Sequence, residues 1–108
     1  MAYILRASVH QISVAVGTAA ADSTPISMME YAGGMIYMPA TTSISTLTWL
    51  SSLHEAGPYV ALQDGAGTAA TSTVGANMCC PLPAVCYPAA HLKAIGNAAG
   101  VFDLNLKT

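Results

Sequence analysis

The chain closes with the stretch Val101-Phe-Asp-Leu-Asn-Leu-Lys-Thr108, in which apolar and polar side chains alternate from Phe102 to Lys107. Phe102, Leu104 and Leu106 fall on one side of this alternation, and polar residues stand between them. A period of two residues is typical of a β-strand that has one buried face. The stretch therefore predicts a strand at the edge of a small apolar core.

A second strand is predicted immediately upstream. His91-Leu-Lys-Ala-Ile95 is short and mostly aliphatic, and it is followed by Asn97-Ala-Ala-Gly100, a turn-forming segment. Two strands that are joined by such a short turn usually pair with each other. We therefore expect residues 91–107 to form a β-hairpin.

The rest of the chain also favours short β-strands. Further predicted strands are Val9–Val16, Met35–Met38, Thr41–Leu50, Tyr59–Gln63, Thr68–Val74 and Ala76–Cys80. Asp64-Gly65 is a strong turn dipeptide, and helix signals are confined to single turns at Pro83–Tyr87 and Met28–Tyr31. Residues 1–108 are thus predicted to be one all-β domain, an antiparallel β-sandwich or jelly roll of about seven to eight short strands.

Charged side chains are few. The chain has three Lys or Arg and five Asp or Glu, so only 7% of its residues are charged, against about a quarter in ordinary soluble domains. Residues 31–54 and 65–92 contain no charged residue. A surface this poor in charge is weakly protected against association. We expect these two stretches to contact neighbouring subunits.

The composition also excludes several kinds of partner. A membrane-spanning helix needs about 20 consecutive apolar residues, but three prolines interrupt the longest apolar run, Met78–Ala90. Met1–Arg6 has no secretory signal pattern, so synthesis in the cytoplasm is expected. Arg6, Lys93 and Lys107 are too few to neutralise a nucleic-acid backbone.

Histidines and cysteines are the candidates for metal or nucleophilic chemistry. They are His10, His54, His91, Cys79, Cys80 and Cys86. None of them follows the ligand spacing of a zinc site, and the adjacent pair His54-Glu55 is expected in a solvated loop. The three cysteines are expected to be reduced and buried, with an intersubunit disulfide as the alternative. We predict no catalytic, cofactor-binding or metal-binding residue.

Six short motifs follow one another over most of the chain. They are Tyr31-Ala-Gly-Gly-Met-Ile, Met38-Pro-Ala, Thr46-Leu-Thr-Trp, Val60-Ala-Leu-Gln-Asp-Gly, Cys80-Pro-Leu-Pro and His91–Lys107. In this order they resemble small β-sandwich virion proteins of tailed bacteriophages. The resemblance implies a capsid cement or decoration protein on the capsid surface. Such a protein would bind the major capsid protein and copies of itself as a homodimer or homotrimer, without cofactor, nucleic acid or membrane.

Subunit contacts are expected at two places. Residues 1–7 are interpreted as an N-terminal arm, in which Tyr3, Ile4 and Leu5 add a strand to the sheet of a neighbour. The alternative is a first strand of the domain's own sheet. Met35 and Tyr37 are the second place, because methionine packs adaptably and tyrosine is common at interfaces.

Two other functions remain as alternatives. A tail- or surface-associated module would recognise a glycan or host receptor through Trp49 and the tyrosines, and it requires these aromatic side chains exposed on one patch. An enzyme would require His54, Glu55 or a cysteine to converge with partners in a pocket. Assembly is the leading hypothesis, because it also accounts for the shortage of charge.

Overall fold

The computed structural model of the chain describes residues 9–107, which form nine β-strands and two short 3-10 helices. The strands are β1 (Val9–Val16), β2 (Ile26–Ser27), β3 (Gly33–Tyr37), β4 (Thr46–Ser52), β5 (Val60–Ala61), β6 (Thr71–Thr73), β7 (Cys79–Pro81), β8 (His91–Gly96) and β9 (Gly100–Lys107). The 3-10 helices are Ala20–Asp22 and Ala84–Cys86. The second of them confirms the single turn predicted at Pro83–Tyr87.

The strands form two antiparallel sheets. The first sheet has the order β1-β9-β3-β7. The second has the order β2-β8-β4, and β5 and β6 pair with different parts of the other side of β4. Apolar side chains of both sheets meet between them, so the predicted all-β antiparallel sandwich is confirmed. The described part of the chain has nine strands where seven to eight were expected, because the two-residue strand β2 was not predicted.

The pairs of strands nest inside one another along the sequence. β1 pairs with β9, β2 with β8, β3 with β7, and β4 with both β5 and β6. This pattern is one long antiparallel hairpin whose arms are rolled into two sheets, and it is the topology of a jelly roll. Of the two architectures predicted, the chain adopts the jelly roll.

The alternation in β9 is confirmed, because Phe102, Leu104 and Leu106 are all buried. The predicted hairpin of residues 91–107 is wrong. β8 pairs with β2 and β4 in the second sheet, whereas β9 pairs with β1 and β3 in the first. The segment between them carries the chain from one sheet to the other across the core.

Asn97 holds this crossing in place. Its side-chain Oδ1 accepts hydrogen bonds from the backbone N–H groups of Ser45 (2.7 Å) and Thr46 (3.1 Å). The backbone N–H of Gly96 donates to the carbonyl oxygen of Gly17 at 2.9 Å. Two strands that each have one apolar face can lie side by side in one sheet or face each other in two sheets. The contacts of this crossing favour the second arrangement.

Trp49 lies at the centre of the core and is fully buried. Its ring meets the ring of Phe102 edge to face, with centroids 6.4 Å apart and an interplanar angle of 83°. Its indole Nε1–H donates to the Ser72 hydroxyl oxygen at 3.0 Å, so the one polar atom of the ring is satisfied. The two sheets therefore meet at an aromatic contact between β4 and β9.

The bounds of one predicted strand need correction. The strand predicted over Thr41–Leu50 begins later, at Thr46, and continues to Ser52. Residues 42–45 precede it as a loop, in which the hydroxyl of Thr42 accepts a hydrogen bond from the N–H of Ile44 at 3.1 Å. The single turn predicted at Met28–Tyr31 is confirmed, since the backbone N–H of Tyr31 donates to the carbonyl oxygen of Met28 at 3.2 Å. Among residues 9–107 there is no helix of the length and hydropathy needed to cross a membrane.

Candidate functional site

Every second side chain of the first sheet points away from the core, and together these side chains form a surface that we call the outer face. Its members are Gln11, Ser13, Ala15, Gly33, Met35, Tyr37, Cys79, Pro81, Val101, Asp103, Asn105 and Lys107. Strand pairing arranges them in rows across the sheet. One row contains Asn105 and Met35, and the two flanking rows contain Asp103 with Tyr37 and Lys107 with Gly33.

Met35 and Tyr37, the described residues among the expected subunit contacts, both lie on this outer face. Tyr37 is exposed over 43% of its surface and stands beside Asp103, its partner in the strand pair. Met35 is half-buried and lies next to Asn105. The other expected contacts, Tyr3, Ile4 and Leu5 of the proposed arm 1–7, lie outside the described residues.

A shallow depression opens beside Tyr37 on the outer face. Its lining includes Gly33, Tyr37, Tyr87, Asn105 and Lys107. A Cβ atom at Gly33 would lie only 3.2 Å from Cζ of Tyr87, so this glycine lets the Tyr87 ring approach the sheet closely. The depression therefore depends on the small residue at this position.

Only two charged side chains stand on the described outer face. Asp103 is half-buried and accepts a hydrogen bond from the Ser13 hydroxyl at 3.0 Å. Lys107 is exposed, and within residues 9–107 it forms no ion pair. Four residues of extended strand separate the two Cα atoms by about 13 Å, so their side chains cannot meet within one chain.

A second apolar surface lies where β4 ends and β8 begins, and we call it the end patch. Leu53 and Val60 are exposed over 82% and 62% of their surfaces. They line a cleft whose other walls are Pro58 and the segment 88–90. Isolated exposed hydrophobic residues are ordinary, but adjacent ones around a cleft are typical of a contact surface.

The cysteines differ in environment, and the expectation that all three are buried is wrong for Cys79. Cys79 is exposed on the outer face, whereas Cys80 points to the opposite side of β7 and is half-buried. Burial raises the pKa of the Cys80 thiol, and the neighbouring Cys79 adds to this effect. Cys86 is fully buried, and burial raises the pKa of its thiol to about 12.

The other candidates for chemistry do not form a site in the described structure. His54 and Glu55 are exposed in the loop between β4 and β5, as expected. Residues 9–107 contain no group of three or more His, Cys, Asp or Glu side chains that could hold a metal ion. The ring Nδ1 of His91 is buried without a hydrogen-bond partner.

The burial of Trp49 removes the main residue of the proposed glycan platform. Its side chain is fully buried, so the requirement of an exposed aromatic patch that contains Trp49 is not met. Tyr59 immediately precedes β5, and its ring faces Lys93 Nζ at 4.7 Å, whereas Tyr37 and Tyr87 line the depression on the outer face. These tyrosines are divided between separate surfaces, and neither surface includes Trp49.

Comparisons with models of protein families, with curated proteins and with solved structures give no match. The fold and the outer face therefore rest on the chain's own geometry, and the resemblance to phage virion proteins stays a prediction.

Sequence reasoning missed the residues that complete the two surfaces. The alternation of Asp103, Asn105 and Lys107 along β9 is visible in the sequence, but the strand that lies beside each of them is not. Tyr87 follows a proline-rich segment, and nothing near it in the sequence indicates that it covers Gly33. Leu53 stands three residues after Leu50, the last residue of the predicted strand, and has no periodic pattern around it.

Proposed function

We propose that this protein is a virion structural protein, a cement or decoration protein of a tailed bacteriophage. It binds the major capsid protein on the capsid surface and associates with copies of itself. The observation that carries the proposal is the presence of two separate surfaces with few charges, the outer face and the end patch, on one domain of 108 residues. A cement protein needs two such surfaces, because it contacts both its own copies and the shell.

The outer face suits contact between copies. It combines Met35, Tyr37 and Val101 with polar groups, and it has only two charged side chains in the described structure. Interface cores are depleted of charged residues, and Tyr and Met are enriched there. This composition supports association better than it supports a solvated surface.

The end patch suits contact with the shell. Leu53 and Val60 project from loops and short strands at one end of the domain, beside a cleft lined mostly by apolar atoms. A few anchoring side chains of this kind commonly provide most of the binding free energy of a protein interface. Many such weak contacts, repeated over a lattice, add up to firm attachment.

The jelly roll gives weaker support. This topology recurs in viral capsid proteins, but also in lectins and in cupins, and a fold by itself does not determine function. With Trp49 in the core, the lectin-like alternative lacks its proposed platform. Assembly is therefore the function that the described surfaces support best.

Binding to phage heads tests the proposal. Heads are prepared from the phage that encodes this chain, with its gene deleted, and the purified protein is added before sedimentation. We expect saturable co-sedimentation with the heads and an increase in the temperature at which they release their DNA. Leu53→Lys should weaken binding by about tenfold or more, because it places a charge at an apolar contact.

Met29→Lys is the matched control, since Met29 is exposed over 72% of its surface but lies outside both surfaces. This variant should bind like the unmodified protein. Protein that stays in the supernatant at all concentrations would refute the decoration function. Equal binding by the Leu53→Lys variant would refute the assignment of the end patch.

A further inference from the structure

We propose that the outer face docks on the same face of a second copy about a twofold axis along the Asn105–Met35 row, so that Asp103 of each copy meets Lys107 of the other. This inference rests on the proposed assembly function and names the surface by which two copies meet. Closed pairs of this kind, in which one surface contacts itself, are the commonest oligomers.

The rows of the outer face carry the argument. Asn105 and Met35 lie side by side in the middle row, with Asp103 and Tyr37 in the row on one side and Lys107 and Gly33 in the row on the other. When two such faces stack, a half-turn about the middle row exchanges the two flanking rows. Each flanking row therefore faces the opposite flanking row of the second copy.

Charge is complementary in this arrangement. The Asp103 row faces the partner's Lys107, and Lys107 faces the partner's Asp103, so the two described charges of the face are both paired. Within one chain they lie about 13 Å apart along β9 and cannot pair. Any arrangement that stacks each row on itself would instead place like charges together, which disfavours it.

Shape is complementary in the same arrangement. Tyr37, which is exposed over 43% of its surface, faces the partner's Gly33 across the interface. Gly33 is covered by the Tyr87 ring, and both line the depression together with Lys107. The partner's Tyr37 ring thus approaches the depression beside Tyr87 and Lys107, at the position that charge pairing also selects.

The size of the face indicates a weak dimer. From the spacing of strands and the rise per residue, the paired strands present about 400 Å² per copy. The total of about 800 Å² is less than the 1,200 Å² or so that a stable interface buries. We therefore expect dimers at high protein concentration, as in a lattice, where neighbours are held close together.

Two charge reversals test the pairing with purified protein in the absence of particles. Asp103→Lys and Lys107→Asp each place like charges opposite each other at both ends of the interface, and each should weaken self-association by about tenfold or more. An equimolar mixture of the two variants pairs two lysines with two aspartates, and it should associate nearly as well as the unmodified protein. Sedimentation equilibrium up to millimolar concentration, at low salt, measures the self-association of the unmodified protein, of each variant and of the mixture.

Glu55→Lys is the control for net charge, because it changes the net charge by the same amount as Asp103→Lys in an exposed loop. It should leave association unchanged. If Asp103→Lys does not fold, Lys107→Asp alone decides, since Lys107 is exposed and unpaired in the described structure. Tyr37→Ala should also weaken the dimer, because it removes the projecting ring.

The proposal is overturned if the unmodified protein is monomeric throughout, if Lys107→Asp associates as well as it does, or if the mixture associates no better than either variant alone. These outcomes leave binding to phage heads unaffected, because that binding is assigned to the end patch. Failure of head binding with an intact dimer would instead overturn the decoration function alone.

Discussion

The hydrogen bond between Trp49 and Ser72 is expected to stabilise the fold strongly for a single neutral contact. Ser72 lies on β6 and is buried, and its hydroxyl oxygen accepts the indole N–H at 3.0 Å. Ser72→Ala removes this acceptor and leaves the N–H buried without a partner, which costs about 1–3 kcal/mol of unfolding free energy. A loss of 1 kcal/mol lowers the melting temperature of a domain of this size by about 4–8 °C.

A double-mutant cycle separates the hydrogen bond from packing. Trp49→Phe removes the donor and part of the ring, and the resulting cavity costs about 2 kcal/mol. In that background no indole N–H is left unsatisfied, so Ser72→Ala should cost much less. We expect a coupling free energy of about 1–2 kcal/mol between the two positions.

Urea denaturation, followed by far-ultraviolet circular dichroism, measures the unfolding free energies of the unmodified protein, the two single variants and the double variant by one signal. Tryptophan fluorescence cannot do this, because Trp49 is the only tryptophan. Ser27→Ala, at an exposed strand position, is the control and should change the unfolding free energy by less than about 0.5 kcal/mol. The reasoning is refuted if Ser72→Ala has an equally small effect, or if its cost is the same with and without Trp49.

Further predictions concern the cysteines and the crossing between the sheets. Burial raises the pKa of the Cys86 thiol to about 12, so above about pH 9 the unfolded chain loses this proton while the folded state keeps it. The stabilisation that the buried thiol provides is therefore complete below about pH 9. As the pH rises from there to 12, the unfolding free energy falls by up to about 1.4 kcal/mol per pH unit. In urea titrations across this range, Cys86→Ala should show a correspondingly smaller loss of stability, and parallel pH profiles would contradict this. A thiol reagent should modify exposed Cys79 in the native protein but Cys86 only after unfolding, and equal rates at the two positions would disprove their assigned burial. Asn97→Ala removes the acceptor of two backbone N–H groups and should cost about 1 kcal/mol, whereas a thermal melt that does not change would show that these bonds do not hold the crossing.

The sequence predicted which side chains of the strands are buried, but not which strands lie together. The two-residue period of β9 identified Phe102, Leu104 and Leu106 as core residues, and the Asp64-Gly65 dipeptide correctly placed a turn. Periodicity does not identify a partner strand, so the sequence could not show that β8 and β9 lie in different sheets.

The outer face could not be predicted for the same reason. Gln11 pairs with Asn105 across most of the length of the chain, and no local pattern connects them. Met35 and Tyr37 were expected to contact other subunits, and the structure places both on one face. Whether they make such contacts is what the charge-reversal experiment measures.

The positions of the few charges carry more information than their number. Glu30, Glu55 and Asp64 lie in loops or at turns, and Asp22 is the last residue of the 3-10 helix Ala20–Asp22; all four are exposed to solvent. The sheets have only three charged side chains in the described residues: Lys93, Asp103 and Lys107. Each is on β8 or β9.

Lys93 already faces a partner, the ring of Tyr59. Asp103 and Lys107 differ from it, because their spacing on a straight strand prevents them from neutralising each other within one chain. Two opposite charges on a face that has no other charge among the described residues contribute little to solubility, since their net charge is zero. They can, however, distinguish one stacking of two faces from another, since a half-turn about the middle row pairs them, whereas stacking each row on itself opposes like charges. As the two charges of the outer face within residues 9–107, Asp103 and Lys107 would therefore determine the register in which two copies meet.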